Sequence, residues 1–280
     1  MKYASYIRQI EIDALWSGKK HILWKLDPRV NILSGVNGVG KSTILNKVFR
    51  SVSTNGDLQN HLLKGVHISA EPEDATHIRF DIIRSLDSSL PQLPSDWRGT
   101  GNREAAPAWG RWEGASALDF QLYHLQRKYL DYQVNIGNRI IEALQQGRAD
   151  AAQQLSKPKT RFQDIVDDLF AETGKTIIRR ENEIRFSQIG ESLTPYQLSS
   201  GEKQMLVILL TVLVEDQQPY VLFMDEPEVS LHIEWQKRLI DLITEMNPYV
   251  QVILTTHSPA VIMNGWVDRV TEVSDIEVKV

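Results

Sequence analysis

The chain has no cysteine, which excludes a disulfide frame, a thiolate metal site and a cysteine nucleophile. Long apolar runs are missing too: no stretch of the 280 residues approaches the roughly 20 needed to span a bilayer as a helix. The opening MKYASYIRQIEID lacks the apolar core that a secretory signal requires. These absences predict a soluble, cytoplasmic chain with no membrane partner. Nor is there an excess of positive charge. With 31 Lys and Arg against 36 Asp and Glu, the formal net charge is −5, so any contact with nucleic acid would depend on a local basic patch. The length suits one α/β domain with an insertion, large enough for a substantial core.

What is there is organised around Gly35 to Thr43, GVNGVGKST, directly after the apolar run Val30 to Leu33. It satisfies G-x-x-x-x-G-K-S/T, with Gly35, Gly40, Lys41 and Ser42 at the fixed positions. In such a stretch a strand ends and glycines let the backbone curl with its N–H groups inward. A helix then opens with its unpaired N–H groups and positive dipole end facing the same hollow. That hollow suits a phosphate chain. The binding candidates are Gly35, Asn37, Gly38, Val39, Gly40, Lys41, Ser42 and Thr43, with Lys41 as a point charge on the β/γ-phosphates and the Ser42 hydroxyl on a magnesium ion.

Along the chain, Tyr6 to Leu15 and Lys20 to Leu26 read as a hairpin, and His67 to Ala70 and Thr76 to Ile83 as two more strands of an antiparallel side sheet. Periodicity is lost from Ser85 to Ser116, a segment with Trp97, Trp109 and Trp112; so long a loop is functional or mobile. Leu118 to Leu125 alternates like a strand ending at Gln126. Two helices follow, one along Tyr129, Tyr132, Ile136, Ile140 and Leu144 with Gly147 as its stop, the other starting at Thr160 and ending at Gly174. Thr176 to Phe186 reads as a hairpin around Glu181 and Asn182. The expected division is 1–84 (first part of the core, side sheet and phosphate loop), 85–117 (inserted loop), 118–174 (strand plus helical lobe) and 175–280 (second part of the core).

Three later stretches carry chemistry. LSSGEKQ, Leu198 to Gln204, opens a helix apolar nearly all round from Met205 to Val214, hence buried; Ser199, Ser200 and Gly201 at its start make a second anion site. YVLFMDE, Tyr220 to Glu226, is a buried strand closing on two carboxylates. Asp225 is placed to hold magnesium and Glu226 to polarise an attacking water. Gln251 to Thr256 is another apolar strand, ending at His257; in a doubly wound sheet the strand carboxyl ends gather at the ligand.

The set GVNGVGKST, LSSGEKQ, VLFMDEPEVSLH and TTHSP, in this order, resembles the ABC-class ATPases, and within them the non-transporter branch that holds the SMC, RecF and OLD-type ATPases. The resemblance covers about Tyr6 to Thr54 and Thr176 to Val273. It implies an α/β P-loop fold with a mainly parallel core sheet, ATP and Mg²⁺ as cofactors, and a homodimer that sandwiches two ATP. In that sandwich Ser199, Ser200 and Gly201 would contact the partner's γ-phosphate, with Glu226 as general base, His257 as phosphate sensor and Lys41 on the phosphates. Gln126, with Gln121 as the alternative, would be the metal-facing glutamine that follows a core strand in the family. Ser200, Glu202 and His232 depart from the transporter pattern, and the span from Gln126 to Gly174 is too short for an SMC arm.

Three function classes are open: a regulatory ATPase that switches a separate effector protein, as in bacterial defence or toxin-type systems; an ATP-dependent DNA clamp like RecF; and a transporter motor. Few residues follow His257, and the carboxylates of the inserted loop (Asp87, Asp96, Glu104, Glu113) are scattered. The expectation is therefore that the effector is a different chain that reads the surface of this loop and the helical lobe.

Overall fold

The computed structural model describes residues 1–16, 18, 20–52, 56–58, 65–83 and 116–278. Elements follow in the order β1 (Tyr6–Leu15), β2 (Lys20–Lys25), β3 (Val30–Ser34), α1 (Lys41–Val52), β4 (Val66–Glu71), β5 (Phe80–Ile83), α2 (Ala117–Gln145) and α3 (Ala149–Leu169). Then come β6 (Thr176–Ile177), β7 (Phe186–Gln188), β8 (Glu191–Leu193), α4 (Ser200–Val214), β9 (Tyr220–Asp225), α5 (Ile233–Met246), β10 (Val250–Thr255), α6 (Pro259–Met263), β11 (Val270–Glu272) and β12 (Glu277–Val278).

The core sheet has the order β11-β3-β10-β9-β5, and every neighbouring pair in it is parallel. Parallel strands need covering on both faces, which is why β9 and β10 are buried along their whole length. Side chains alternate between two cores. Val221, Phe223 and Ile253 point to a core shared with Ile44, Leu45, Val48 and Phe49 of α1 and with Ile10, Ile12 and Trp24 of the side sheet. Leu222, Met224, Val252 and Leu254 point to the opposite core, filled by α2, α3, α4 and α5. Register settles where function can sit: Thr255 lies beside Asp225 on one side and Leu33 on the other. The carboxyl ends of β3, β9 and β10 therefore meet, and the three segments that leave them share one rim.

The side sheet is antiparallel, β12-β2-β1-β4. The fourth strand expected there goes elsewhere. Phe80–Ile83 pairs with Val221–Met224 as the edge of the parallel sheet, so the end of the run from Thr76 to Ile83 belongs to the core sheet. A third, small sheet, β6-β7-β8, contains the expected hairpin plus the unforeseen β8.

The helical lobe corrects two expectations. Leu118 to Leu125 is helix, not strand. Leu118, Leu122, Leu125, Tyr129, Tyr132 and Ile136 form one buried stripe at helical spacing, and a capping box between Ser116 and Asp119 starts the helix ahead of it. The second helix starts at Ala149 rather than Thr160 and runs through Pro158, with Thr160 donating back to Ser156 O (3.2 Å) as an interior residue. Ala152, Phe162, Ile165, Val166 and Leu169 anchor its inner side, and that burial outweighs the backbone bond lost at the proline. The inserted-loop tryptophans Trp97, Trp109 and Trp112 lie outside the described residues. Among the described residues no helix is long and apolar enough to cross a membrane.

Candidate functional site

The loop from Gly35 to Gly40 leaves β3 and turns into α1, and two glycines make the turn work. Gly38 has φ +81°, open to a residue without Cβ. At Gly40, φ +106°, an added Cβ would lie 2.1 Å from Trp16 Cζ2, so the indole at the tip of the side-sheet hairpin rests directly on the loop backbone. The loop and the start of α1 enclose a hollow of about 390 Å³ lined by Asn37, Gly38, Gly40, Lys41, Ser42, Thr43, Glu226 and His257.

Lys41 is buried, and its Nζ donates to Gly35 O (2.8 Å) and Val36 O (3.3 Å) and lies 3.2 Å from His257 Nδ1. Burial lowers its pKa, and the nearby carboxylates Glu226, Asp225 and Glu228 work against that shift. Ser42 Oγ donates to Asp225 Oδ1 (2.9 Å), and Thr255 Oγ1 donates to the same oxygen (2.6 Å). Phosphate loop, β9 and β10 are thus joined at one carboxylate.

Glu226 has φ +48°, and its N–H donates back to Thr255 O (3.1 Å) and Thr255 Oγ1 (3.2 Å), which turns its side chain out of the strand. Its Oε1 lies 2.6 Å from His257 Nε2. With an acceptor at Nε2 and an ammonium at Nδ1, the neutral tautomer protonated at Nε2 satisfies both contacts of the ring. A continuous row, Lys41 to His257 to Glu226, borders the hollow.

The residues present fit a magnesium–nucleotide phosphate chain. Backbone amides and an ammonium suit phosphate oxygens, and a hydroxyl beside a carboxylate is the hard oxygen donor set that Mg²⁺ takes. Neither glutamine considered for the metal is in this hollow, and the segment expected to serve a partner's hollow lies outside it as well. Gln126 is buried in α2, where its amide bonds Ile184 N (3.0 Å) and Ile184 O (3.2 Å) in the manner of a strand neighbour; as a metal ligand it is corrected. Gln121 lines a separate cavity with Asp81, His124 and Lys128. Ser199, Ser200 and Gly201 stand at the start of α4, outside the hollow's lining. Gly201 there leaves no room for a side chain, since a Cβ would lie 2.5 Å from Ser230 O. Sequence reasoning assigns no role to Trp16 or Glu228. For Glu228 the sequence offers no local signal, because it follows Asp225, Glu226 and Pro227 as one more polar residue of a turn and its partners lie 28 to 30 residues later.

Comparison with known proteins adds four findings. A family profile described as "AAA domain, putative AbiEii toxin, Type IV TA system" matches residues 117–264, just over half of the chain. The Septu protein PtuA of Bacillus thuringiensis is 26% identical over 298 residues, covering 90% of this chain and 72% of that protein. A retron Vc95 probable ATPase of Vibrio cholerae serotype O1 biovar El Tor is 27% identical over 99 residues, 31% of this chain and 19% of that one. Among solved structures, an SMC head bound to the C-terminal winged-helix domain of ScpA superposes with a TM-score of 0.52 at 13% identity, over 92% of this chain and 91% of that chain, a likeness of fold.

Proposed function

The chain belongs to this AAA-domain family and is an ATPase of the SMC- and OLD-like branch, and from that premise we propose that it binds and hydrolyses ATP as a dimer and thereby controls a separate effector protein in a bacterial defence or toxin-type system. One observation carries the reading: Lys41, Ser42, Asp225, Glu226 and His257, far apart in sequence, converge at one hollow. Lys41, the amides from Asn37 to Thr43, Ser42 and Asp225 would hold Mg·ATP, and the metal would supply neutralisation of the charge on the phosphate oxygens. Glu226 polarises the attacking water, and His257 orients the Glu226 carboxylate through Nε2–H. Ser199 to Gly201 serve the hollow of a second copy, consistent with their position outside the hollow of their own chain.

Effector control by a different chain is supported by the family description and by the relatives' names, Septu and retron. Outside the hollow, the described residues hold one group that could bind a metal, Glu11, Asp13 and His21 on the side sheet. Metal-dependent cutting by the isolated chain that Asp13→Asn abolishes would overturn the effector reading.

The test of hydrolysis is Glu226→Gln. It should bind ATP as the parent does, lose turnover by about 10²–10⁴-fold, and accumulate as an ATP-bound dimer in light scattering. Parent-rate hydrolysis would remove the assignment. The dimer is tested by mixing inactive Lys41→Ala chains with inactive Ser199→Arg chains, because one of the two shared sites is then intact. No recovered turnover, with mixed dimers demonstrated, would argue against a shared site.

A further inference from the structure

The turn that carries His257 has little of its own to hold it. The ladder of β10 ends at Thr255, and α6 has only five residues. Two amides and a hydroxyl of this turn converge on one atom: Glu228 Oε1 accepts from Thr256 Oγ1 (2.5 Å), His257 N (3.0 Å) and Ser258 N (3.3 Å), and Ser258 N donates as well to Thr256 Oγ1 (2.9 Å), the hydroxyl that Glu228 itself holds. Glu228 is 8% exposed, and its Oε2 is buried with no hydrogen-bond partner. The segment bearing it is fixed in turn. Leu231 N donates to Glu228 O (2.9 Å), Gln236 Nε2 to Leu231 O (2.9 Å), and Ser258 Oγ to Gln236 Oε1 (2.6 Å), which closes the network on the same turn.

A buried carboxylate whose second oxygen lacks a donor is a costly way to pin a loop, and three donors to one oxygen are what make it tenable. We propose that Glu228 is the positioning residue of the hydrolytic site: by gathering the amides of residues 257 and 258 it sets the His257 ring against Glu226, two residues from Glu228 itself. This rests on the reading of Glu226 and His257 as the hydrolytic pair. Glu228 is not among the residues lining the hollow; it acts through His257. A displacement of about 1 Å at such a ring is enough to cost about 100-fold in rate.

The experiment uses Glu228→Ala and Glu228→Gln in the full chain, with ATP turnover and amide hydrogen exchange of the nucleotide-free protein. Glu228→Ala should lower kcat by about 10–100-fold with KM for ATP changed less than about 3-fold. In the same variant the amides of His257 and Ser258 should exchange at least about 10-fold faster while β9 and β10 stay protected. Glu228→Gln keeps the accepting oxygen, so slow exchange and most of the turnover should return. Unchanged exchange at 257 and 258 in folded Glu228→Ala would overturn the proposal. So would a Glu228→Gln that keeps slow exchange yet loses as much kcat as Glu226→Gln, since charge rather than positioning would then matter. If Glu228→Ala fails to fold, Glu228→Gln decides by these two readouts. If the parent shows no turnover, the ATPase reading fails, whereas the exchange data still test the anchoring.

Discussion

Two helices begin at candidate anion sites, and they begin differently. α1 opens with Lys41 after a glycine-bordered loop, has no acidic residue in its first turn, and presents Gly40 to Thr43 to the hollow. α4 opens closed on itself: Ser199 Oγ accepts from Glu202 N (3.4 Å), while Glu202 Oε2 accepts from Ser199 N and Oγ (2.9 Å each). Glu202 Oε1 takes Lys175 Nζ and Thr173 Oγ1, both at 2.9 Å. Both helix starts carry the same positive dipole end. In α1 it is left for a ligand; in α4 the chain supplies its own carboxylate, already neutralised by Lys175. The lesson is that a small, donor-rich helix start does not by itself make an independent anion site. The α1 hollow is lined by residues of one chain, whereas α4 offers exposed Ser199 and Ser200 above a filled cap, suited to what the proposed dimer asks of it, contacts to a hollow built elsewhere.

The largest expected effect on nucleotide affinity comes from emptying the open start. Among the described residues Lys41 is the one lysine or arginine lining the hollow, so Lys41→Ala should weaken ATP binding by about 10–100-fold, the scale of a lost charge-assisted hydrogen bond, measured by calorimetry. Ser199→Arg, at the closed start, should leave the affinity of the single chain within about 2-fold, against a scale of 1.4 kcal/mol per tenfold change. Equal losses in both would erase the contrast.

Opening the closed start is read on stability instead of on binding. Glu202→Ala strands the partly buried Lys175 ammonium and removes the acceptor of Ser199 and Thr173, so a loss of about 3–5 kcal/mol in a denaturant titration is expected. Glu202→Gln, which keeps an acceptor, should lose less. A loss near zero in Glu202→Ala would show that the cap is incidental.

The parts of this contrast were unequally legible in the sequence. The phosphate loop, the strand ending in Asp225 and Glu226, and the buried helix after Gly201 are each written in contiguous residues, where glycine spacing and unbroken apolar runs leave few foldings. The edge strand Phe80–Ile83 was misplaced because its partner β9 lies about 140 residues away, and local alternation says nothing about which sheet a strand joins. Leu118 to Leu125 satisfies both a period of two and a period of 3.6; the continuing stripe to Ile136 and the cap at Ser116 decide for helix. Gln126 followed that error, since a residue at a strand end faces a ligand and one inside a helix faced Ile184. Glu228 was out of reach for another reason: its partners Thr256, His257 and Ser258 come together only once β9 and β10 lie side by side in register.

The smallest predicted effect lies at the other end of α4 and has the opposite sign in pH. Glu215, the residue that ends the helix, is pushed up to about 8 by burial and by the adjacent carboxylate Asp81, which also hydrogen-bonds to it; Lys128 and Arg79 oppose the shift. Against an ordinary value of 4.5, the folded chain holds a proton that the unfolded chain has released between pH 4.5 and about 8. The stability linked to this group is full below 4.5 and falls as pH rises through that window. Glu202 runs the other way. Burial would raise its pKa, but Lys175, Ser199 and Thr173 together hold it below 4.5, so its contribution is present above that value and lost as pH falls through the lowered one. Glu215→Gln carries no charge at any pH and can still donate to Asp81. Its melting temperature should exceed the parent's by about 2–4 °C at pH 8, with the gap closing toward pH 5. An equal gap at both values would mean that the substitution acts through packing, and that α4 is not titrated in opposite directions at its two ends.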